Sequence, residues 1–341
     1  MPTNLIVPDS RLFYPPTITA MVNEVETAER PLYDMLFKAN ESMSMSQTVE
    51  WDIVRAARTL VGESARNAPM KSSKHTTREV VSRQAPYYSD SKTIRAEQIQ
   101  GLRRYGGSSL EFENLENFIA RETADVKSKF DRTLEFNAWG VMKGNVYDKD
   151  GITLLYKYDF PDGHDNPAAT EFPINDLRKI KSLIRRNARS AVRRFIMLTG
   201  TKVMDQLVEN PSVQKLFLAQ SGLDIAKNGY ITGLAGIEFM EFDHGYEDDD
   251  GDFHRYLAED ECIIVGVTDD GFASVYAPPA VFDKNGNVPF PDKKTGMIYA
   301  DLDYHKNPES VDLLFGMATV QITRRPGAIA WMKPDEWTVT P

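Results

Sequence analysis

The chain has 341 residues, 41% of them apolar, and a net charge of −10, long enough for two or three packed units. No run approaches the roughly 20 apolar residues of a membrane helix, so the sequence predicts no membrane partner. Its single cysteine, Cys262, excludes an internal disulfide, and Met1-Pro2-Thr3-Asn4 lacks the basic and apolar regions of a secretory signal.

In chain order, residues 1–17 read as extended, because Pro8, Pro15 and Pro16 oppose a helix. Short helices are predicted at Thr17–Thr27 and Pro31–Ala39, and alternation predicts a strand at Thr48–Val54. Ser64–Gln84 has five apolar residues of twenty-one. Such a segment cannot offset its ordering entropy alone. It reads either as disordered or as a two-stranded hairpin held by partners, with Thr76–Val81 favouring the hairpin. One long helix is predicted over Leu110–Lys143. Ser108 and Glu111 have capping-box spacing, and Phe112, Leu115, Ile119, Val126, Phe130, Leu134, Ala138 and Val141 make one apolar stripe. Gly144 is its stop signal. Ile152–Tyr158 reads as a strand.

From Ile174 the pattern becomes α/β. A helix is predicted over Asn175–Arg189, a strand at Phe195–Leu198 and a helix over Lys202–Leu218 broken near Pro211. Ile231–Tyr276 reads as strand-rich, with hairpin signals at Asp249-Asp250-Gly251 and Asp269-Asp270-Gly271 and a further turn at Asn285-Gly286. Strands follow at Val311–Thr323 and Gly327–Met332, then a turn at Lys333-Pro334-Asp335 and a final short strand.

Charge is unevenly spread. Residues 51–110 hold eleven Lys/Arg against five Asp/Glu, so the rest of the chain carries −16 (−10 − 6 = −16). A second basic stretch comprises Arg178, Lys179, Lys181, Arg185, Arg186, Arg189, Arg193 and Arg194, and helical spacing puts Arg178, Lys181, Arg185 and Arg189 near one face. Two readings stay open: a solvated helix face, or a contact with phosphate or an acidic neighbour. The acidic run Glu247-Asp248-Asp249-Asp250-Gly251-Asp252 fails as an EF-hand loop, because Tyr246 and Leu257 stand where the first ligand and the bidentate Glu belong. It reads as a solvated hairpin tip. His244 and His254 flank that tip without a cysteine partner, and His75, His164 and His305 stand isolated in polar loops, so no metal site is predicted. No phosphate-binding glycine loop, His-Glu-x-x-His or nucleophile elbow occurs. Cys262 lies in the apolar run Cys262-Ile263-Ile264-Val265 and is expected to be buried packing.

The order of elements resembles the lambda-type major capsid proteins of tailed bacteriophages. Three local motifs carry the resemblance: the helix exit Gly140-Val141-Met142-Lys143-Gly144-Asn145-Val146-Tyr147, the strand Cys262-Ile263-Ile264-Val265-Gly266, and the ending Pro334-Asp335-Glu336-Trp337-Thr338-Val339. Ala258-Glu259-Asp260-Glu261 departs from the family's Pro-Asp-Asn or Pro-Asp-Gly before that strand. The resemblance implies an α+β fold of the Hong Kong 97 capsid type. It would comprise an N-terminal arm at 1–47, an extended loop at 48–107, the spine helix and peripheral strands at 108–173, an axial domain at 174–300, and C-terminal peripheral strands at 301–341.

The implied function is that of a major capsid protein without enzymatic activity or cofactor, forming hexamers and pentamers of an icosahedral virion head around double-stranded DNA. Implied partners are further copies of itself, a separate scaffolding protein, a portal and a decoration protein, with assembly in the host cytoplasm. Arg66, Lys71, Lys74, Arg78, Arg83, Arg103 and Arg104 of the extended loop would meet adjacent subunits. Arg178, Lys181, Arg185 and Arg189 would meet DNA or a neighbour. The branch is not expected to crosslink through Lys71 or Lys74. Two rival readings are a nucleic-acid-binding protein using Arg178–Arg194 and a carboxylate-dependent hydrolase built around Glu241–Glu261.

Overall fold

A computed structural model of the chain describes residues 22, 30–55, 77–95, 115–167, 169–170, 172–220, 232–279, 297–304, 310–334 and 337. Among the described residues the first labelled elements are α1 (Pro31–Leu36), β1 (Glu41–Met43), β2 (Thr48–Arg55), β3 (Thr77–Gln84) and β4 (Tyr87–Arg95), followed by the long helix α2 (Leu115–Lys143). Next come β5 (Asn145–Tyr147), β6 (Leu154–Lys157), α3 (Pro173–Asn187), β7 (Arg194–Thr199), α4 (Thr201–Glu209) and α5 (Pro211–Gln220). Nine strands complete the described residues: β8 (Gly233–Leu234), β9 (Ile237–Glu241), β10 (Gly245–Glu247), β11 (Phe253–Arg255), β12 (Cys262–Val267), β13 (Phe272–Ala277), β14 (Tyr299–Tyr304) and β15 (Ser310–Thr323), with β16 (Ile329–Met332) last after a 3-10 turn at Pro326–Ala328.

Helix α2 spans about 44 Å at 1.5 Å per residue. Its predicted stripe is buried at Ile119, Val126, Phe130, Leu134, Ala138 and Val141. The helix stops where expected. Gly144 has φ +82, and a Cβ there would lie 2.6 Å from the Phe160 ring, so only glycine fits. The capping-box residues Ser108 and Glu111 lie outside the described residues, and of Thr17–Thr27 only Val22 is described, helical and buried.

The chain divides into two compact units. One comprises Met1–Val49, Ser82–Glu135 and Ser274–Gln321. Its sheet runs β1-β13-β15-β14, with β4 also on β15. Residues of β15 pair with β14 and with β4, Gly316 facing both Tyr299 and Ser89, so those two strands occupy opposite edges. β4 lies in a segment that reads as polar loop. Of its described side chains only Ile94 is buried, and backbone pairing with β15 rather than apolar burial makes it a strand. Lys92 adds ion pairs to Glu122 and Asp125 of α2, at 2.6 and 2.5 Å.

Within this unit the start of α1 is held by α2. Arg30, at the N-cap, provides no side-chain cap. Instead the Glu135 carboxylate accepts from Leu32 N at 3.1 Å and Tyr33 N at 2.8 Å. One turn earlier on α2, Asp131 pairs with Arg30 at 2.8 Å. The Tyr33 hydroxyl meets the Tyr276 hydroxyl at 2.8 Å and donates to Glu41 Oε1 at 2.9 Å.

The second unit comprises Glu50–Val81, Phe136–Ala273 and Ile322–Pro341. Its sheet runs β16-β12-β7-β9-β8, with β7 and β9 parallel. Leu177, Ile180 and Ile184 of α3 pack with Met197, Phe239 and Ile264 of that sheet in one apolar cluster. At the helix exit of α2, the Trp139 ring stacks on Tyr256, with centroids 6.3 Å apart, and meets Phe242 edge-on.

Several sequence expectations are corrected. Asp269-Asp270-Gly271 does not close a hairpin: both edges of β12 are occupied, by β7 and β16, so β13 passes to the other sheet. Of the segment Ser64–Gln84, read as disordered or as a two-stranded hairpin, the described residues form β3 of a two-stranded sheet, whose partner is β2, from before that segment. The C-terminal strands do not stay together. β15 joins β14 and β4, whereas the turn at Pro326–Ala328 delivers β16 to the open edge of β12. Asn285-Gly286 and the final strand fall outside the described residues. Trp337 is described and completely buried.

Candidate assembly surfaces

The basic helix begins at Pro173, whose missing N–H suits the first helical position. It ends at Asn187, two residues before the expected limit. Arg189 lies beyond it with φ +51, and the Arg325 guanidinium donates to Ala188 O at 3.3 Å and Arg189 O at 3.4 Å. The four expected contact residues therefore do not share one helical face. Arg178 and Arg185 are exposed on α3, and Arg189 is exposed on the loop that follows. Lys181 turns inward. Its ammonium donates to Ala235 O at 2.8 Å and Gly236 O at 3.0 Å, bracing the tight β8–β9 turn in which both residues have positive φ. Burial and then Arg185 push the Lys181 pKa down.

Some of this charge is compensated locally. Lys179 pairs with the buried Asp176, Arg194 with Glu238, and Arg193 with Asp269. Arg325 clamps Asp270 through two parallel hydrogen bonds of 3.0 and 2.9 Å, and those bonds hold the Asp270 carboxyl below its usual range.

The acidic run is a hairpin tip between β10 and β11, with Tyr246 opposite His254 and their rings stacked. Asp248 organises it. Its side chain accepts from Asp250 N at 3.0 Å, Asp252 N at 2.9 Å and His254 Nε2 at 2.8 Å, which lowers its pKa, His254 contributing most. His244 lies apart, beside Asp243. Among the described residues no group of three His, Cys, Asp or Glu is arranged to hold a metal. A second hairpin, β5–β6, is shaped in the same way by Asp150, which accepts from Ile152 N, Thr153 N and Thr153 Oγ1. Lys149 at its turn reaches Asp249 at 2.8 Å.

Of the extended-loop cations, Arg66, Lys71, Lys74, Arg103 and Arg104 lie outside the described residues. Arg78 is placed on β3 by its backbone, and Arg83 is exposed near the end of that strand. Cys262 is buried on β12, and burial pushes its thiol up, away from thiolate chemistry.

His164 is the residue that sequence reasoning misplaced. It is 0% exposed. Its Nδ1 donates to Ile329 O at 2.6 Å, so in the neutral ring Nε2 accepts from Asn187 Nδ2 at 2.7 Å. His164 thereby ties β16 to the end of α3. Its partners lie more than twenty and more than one hundred and sixty positions away, which no local spacing reveals. Burial, with Arg186 nearby, lowers its pKa below the ordinary 6.5. The unfolded chain therefore takes up this proton first as pH falls. The stabilisation is complete above about pH 6.5 and is lost as pH falls from there through the folded-state value. Melting temperatures from pH 7.5 to 5 should fall more steeply for the native protein than for His164→Gln; parallel profiles would acquit this residue.

No curated protein matches the chain. A structure assigned as a prophage capsid protein from Escherichia coli CFT073 superposes with a TM-score of 0.57 at 14% identity, covering 94% of this chain and 98% of that one. A phage-related protein from Bordetella bronchiseptica RB50 gives a TM-score of 0.54 at 9% identity, covering 95% and 98%. Identities this low speak for the fold, which is of the Hong Kong 97 capsid type. The family model for phage major capsid protein E matches residues 15–333, and the chain belongs to that family.

Proposed function

We propose that copies of this chain form the hexamers and pentamers of an icosahedral head that encloses double-stranded DNA, with no catalytic role. The observation that carries this reading is the family match across residues 15–333. The two-stranded β2–β3 ribbon adds support. It holds two strands beside a basic segment too polar to fold alone, which suits an arm completed by a neighbour. Arg66, Lys71, Lys74, Arg78, Arg83, Arg103 and Arg104 are proposed to meet adjacent subunits there. Each exposed ion pair contributes only about 0–1 kcal/mol, so strand addition and repetition around the shell supply most of the stability. A separate scaffolding protein guides assembly in the host cytoplasm, and a portal and a decoration protein complete the head.

Negative-stain microscopy of the full chain expressed with its cognate scaffolding protein should show closed, roughly spherical shells. Persistent small species under assembly conditions would count against the reading. Denaturing electrophoresis of mature particles should give monomer-sized bands.

A further inference from the structure

Two oppositely charged surfaces lie at opposite ends of one sheet, and one subunit cannot bring them together. At one end, residues 181–194 hold six Lys/Arg and no Asp/Glu. Arg194 begins β7 opposite Val267, the last residue of β12, and Lys181 braces the turn that opens β9. At the other end, Thr199 lies opposite Cys262 and beside Glu241. There begins the stretch 241–261, with ten carboxylates and one Arg.

Five residue steps of β7, Arg194 to Thr199, separate the two ends, about 17 Å at 3.3 Å per residue. That is well beyond the Debye length of about 8 Å at physiological salt. The patches therefore do not neutralise one another within a subunit. Like patches repel, which disfavours a two-fold contact of either patch with itself, whereas a head-to-tail contact between copies joins opposite charges and generates a ring where the rotation between copies closes. The acidic surface also has an exposed aromatic, Phe253 on β11, 57% exposed. Such residues anchor interfaces.

We infer that the acidic β10–β11 tip of one copy docks on the basic end of the α3–β7 segment, at Arg185 and Arg189, of the next copy around the capsomer. This deepens the shell reading and rests on it. A second copy fits these observations better than DNA, because the same chain carries the complementary surface.

A charge-swap series in the full chain, expressed with its scaffolding protein, tests the inference. Asp250→Arg with Asp252→Arg leaves the Asp248 hydrogen bonds intact, since only the backbone of those two residues uses them. That variant should lose tenfold or more of its sedimenting shells while the free subunit melts at the wild-type temperature. Arg185→Glu with Arg189→Glu should do the same, and the fourfold variant should regain shells. Wild-type yield from the tip reversal, or no recovery by a folded fourfold variant, overturns the inference. Normal shells that lack DNA from the helix reversal would assign that surface to DNA and overturn it as well. If the native chain itself forms no shells, the shell reading fails and takes this inference with it; if native and reversed chains both form them, only the inference fails.

Discussion

Trp337→Ala should destabilise the free subunit by about 3–5 kcal/mol, the usual cost of emptying a buried tryptophan site. The side chain is 0% exposed and belongs to the cluster formed by α3, α4 and their sheet. Its indole N–H donates to Asp176 Oδ2 at 3.2 Å, and its carbonyl accepts from Asn210 Nδ2 at 3.0 Å. Asp176 also accepts from Thr170 N at 2.6 Å, so one carboxylate joins the approach to α3 and the C-terminal segment. Trp337→Phe keeps most of the apolar volume and loses the N–H, for a smaller loss of about 1.5–3 kcal/mol. Urea denaturation of the unassembled subunit reads both. Midpoints of the alanine variant and the native protein that coincide would mean that Trp337 is not docked.

Glu135→Ala should act as strongly at a different place. It leaves Leu32 N and Tyr33 N without this acceptor, and each buried orphan costs about 1–3 kcal/mol, so a total of about 2–6 kcal/mol is expected. Glu135 is only 1% exposed, and water cannot easily substitute. Glu135→Gln should fall between, since one oxygen remains to accept. Hydrogen exchange gives the sharper readout: the Leu32 and Tyr33 amides should lose protection before those in the middle of α2. Unchanged protection of these amides in Glu135→Ala would show that the carboxylate does not cap α1.

The features legible in the sequence are those that depend on periodicity. The stripe from Ile119 to Val141 is a local pattern, and one buried face follows from it directly. The break at Pro211 and the stop at Gly144 follow equally from the chemistry of single residues. Features that depend on a distant partner are not visible. β4 has a single aliphatic residue, Ile94, and is a strand because β15 is beside it. His164 reads as a loop histidine until Ile329 and Asn187 surround it. Asp131 and Glu135 lie outside the predicted apolar stripe, yet both are buried against Arg30 and the start of α1. The basic stretch was visible as charge, but its division between exposed face, turn brace and local ion pairs was not.

The strand order β1-β13-β15-β14 has a consequence for synthesis. Glu41 of β1 lies opposite Ser274 of β13, so its partner is made more than two hundred residues later. At about 5–20 residues per second, β1 waits on the order of 10–50 s for that partner. Pairings so distant in sequence also make folding slow. The nascent chain therefore cannot complete this sheet until nearly all of it has been translated, and a ribosome-bound subunit has no finished surface to offer a growing shell.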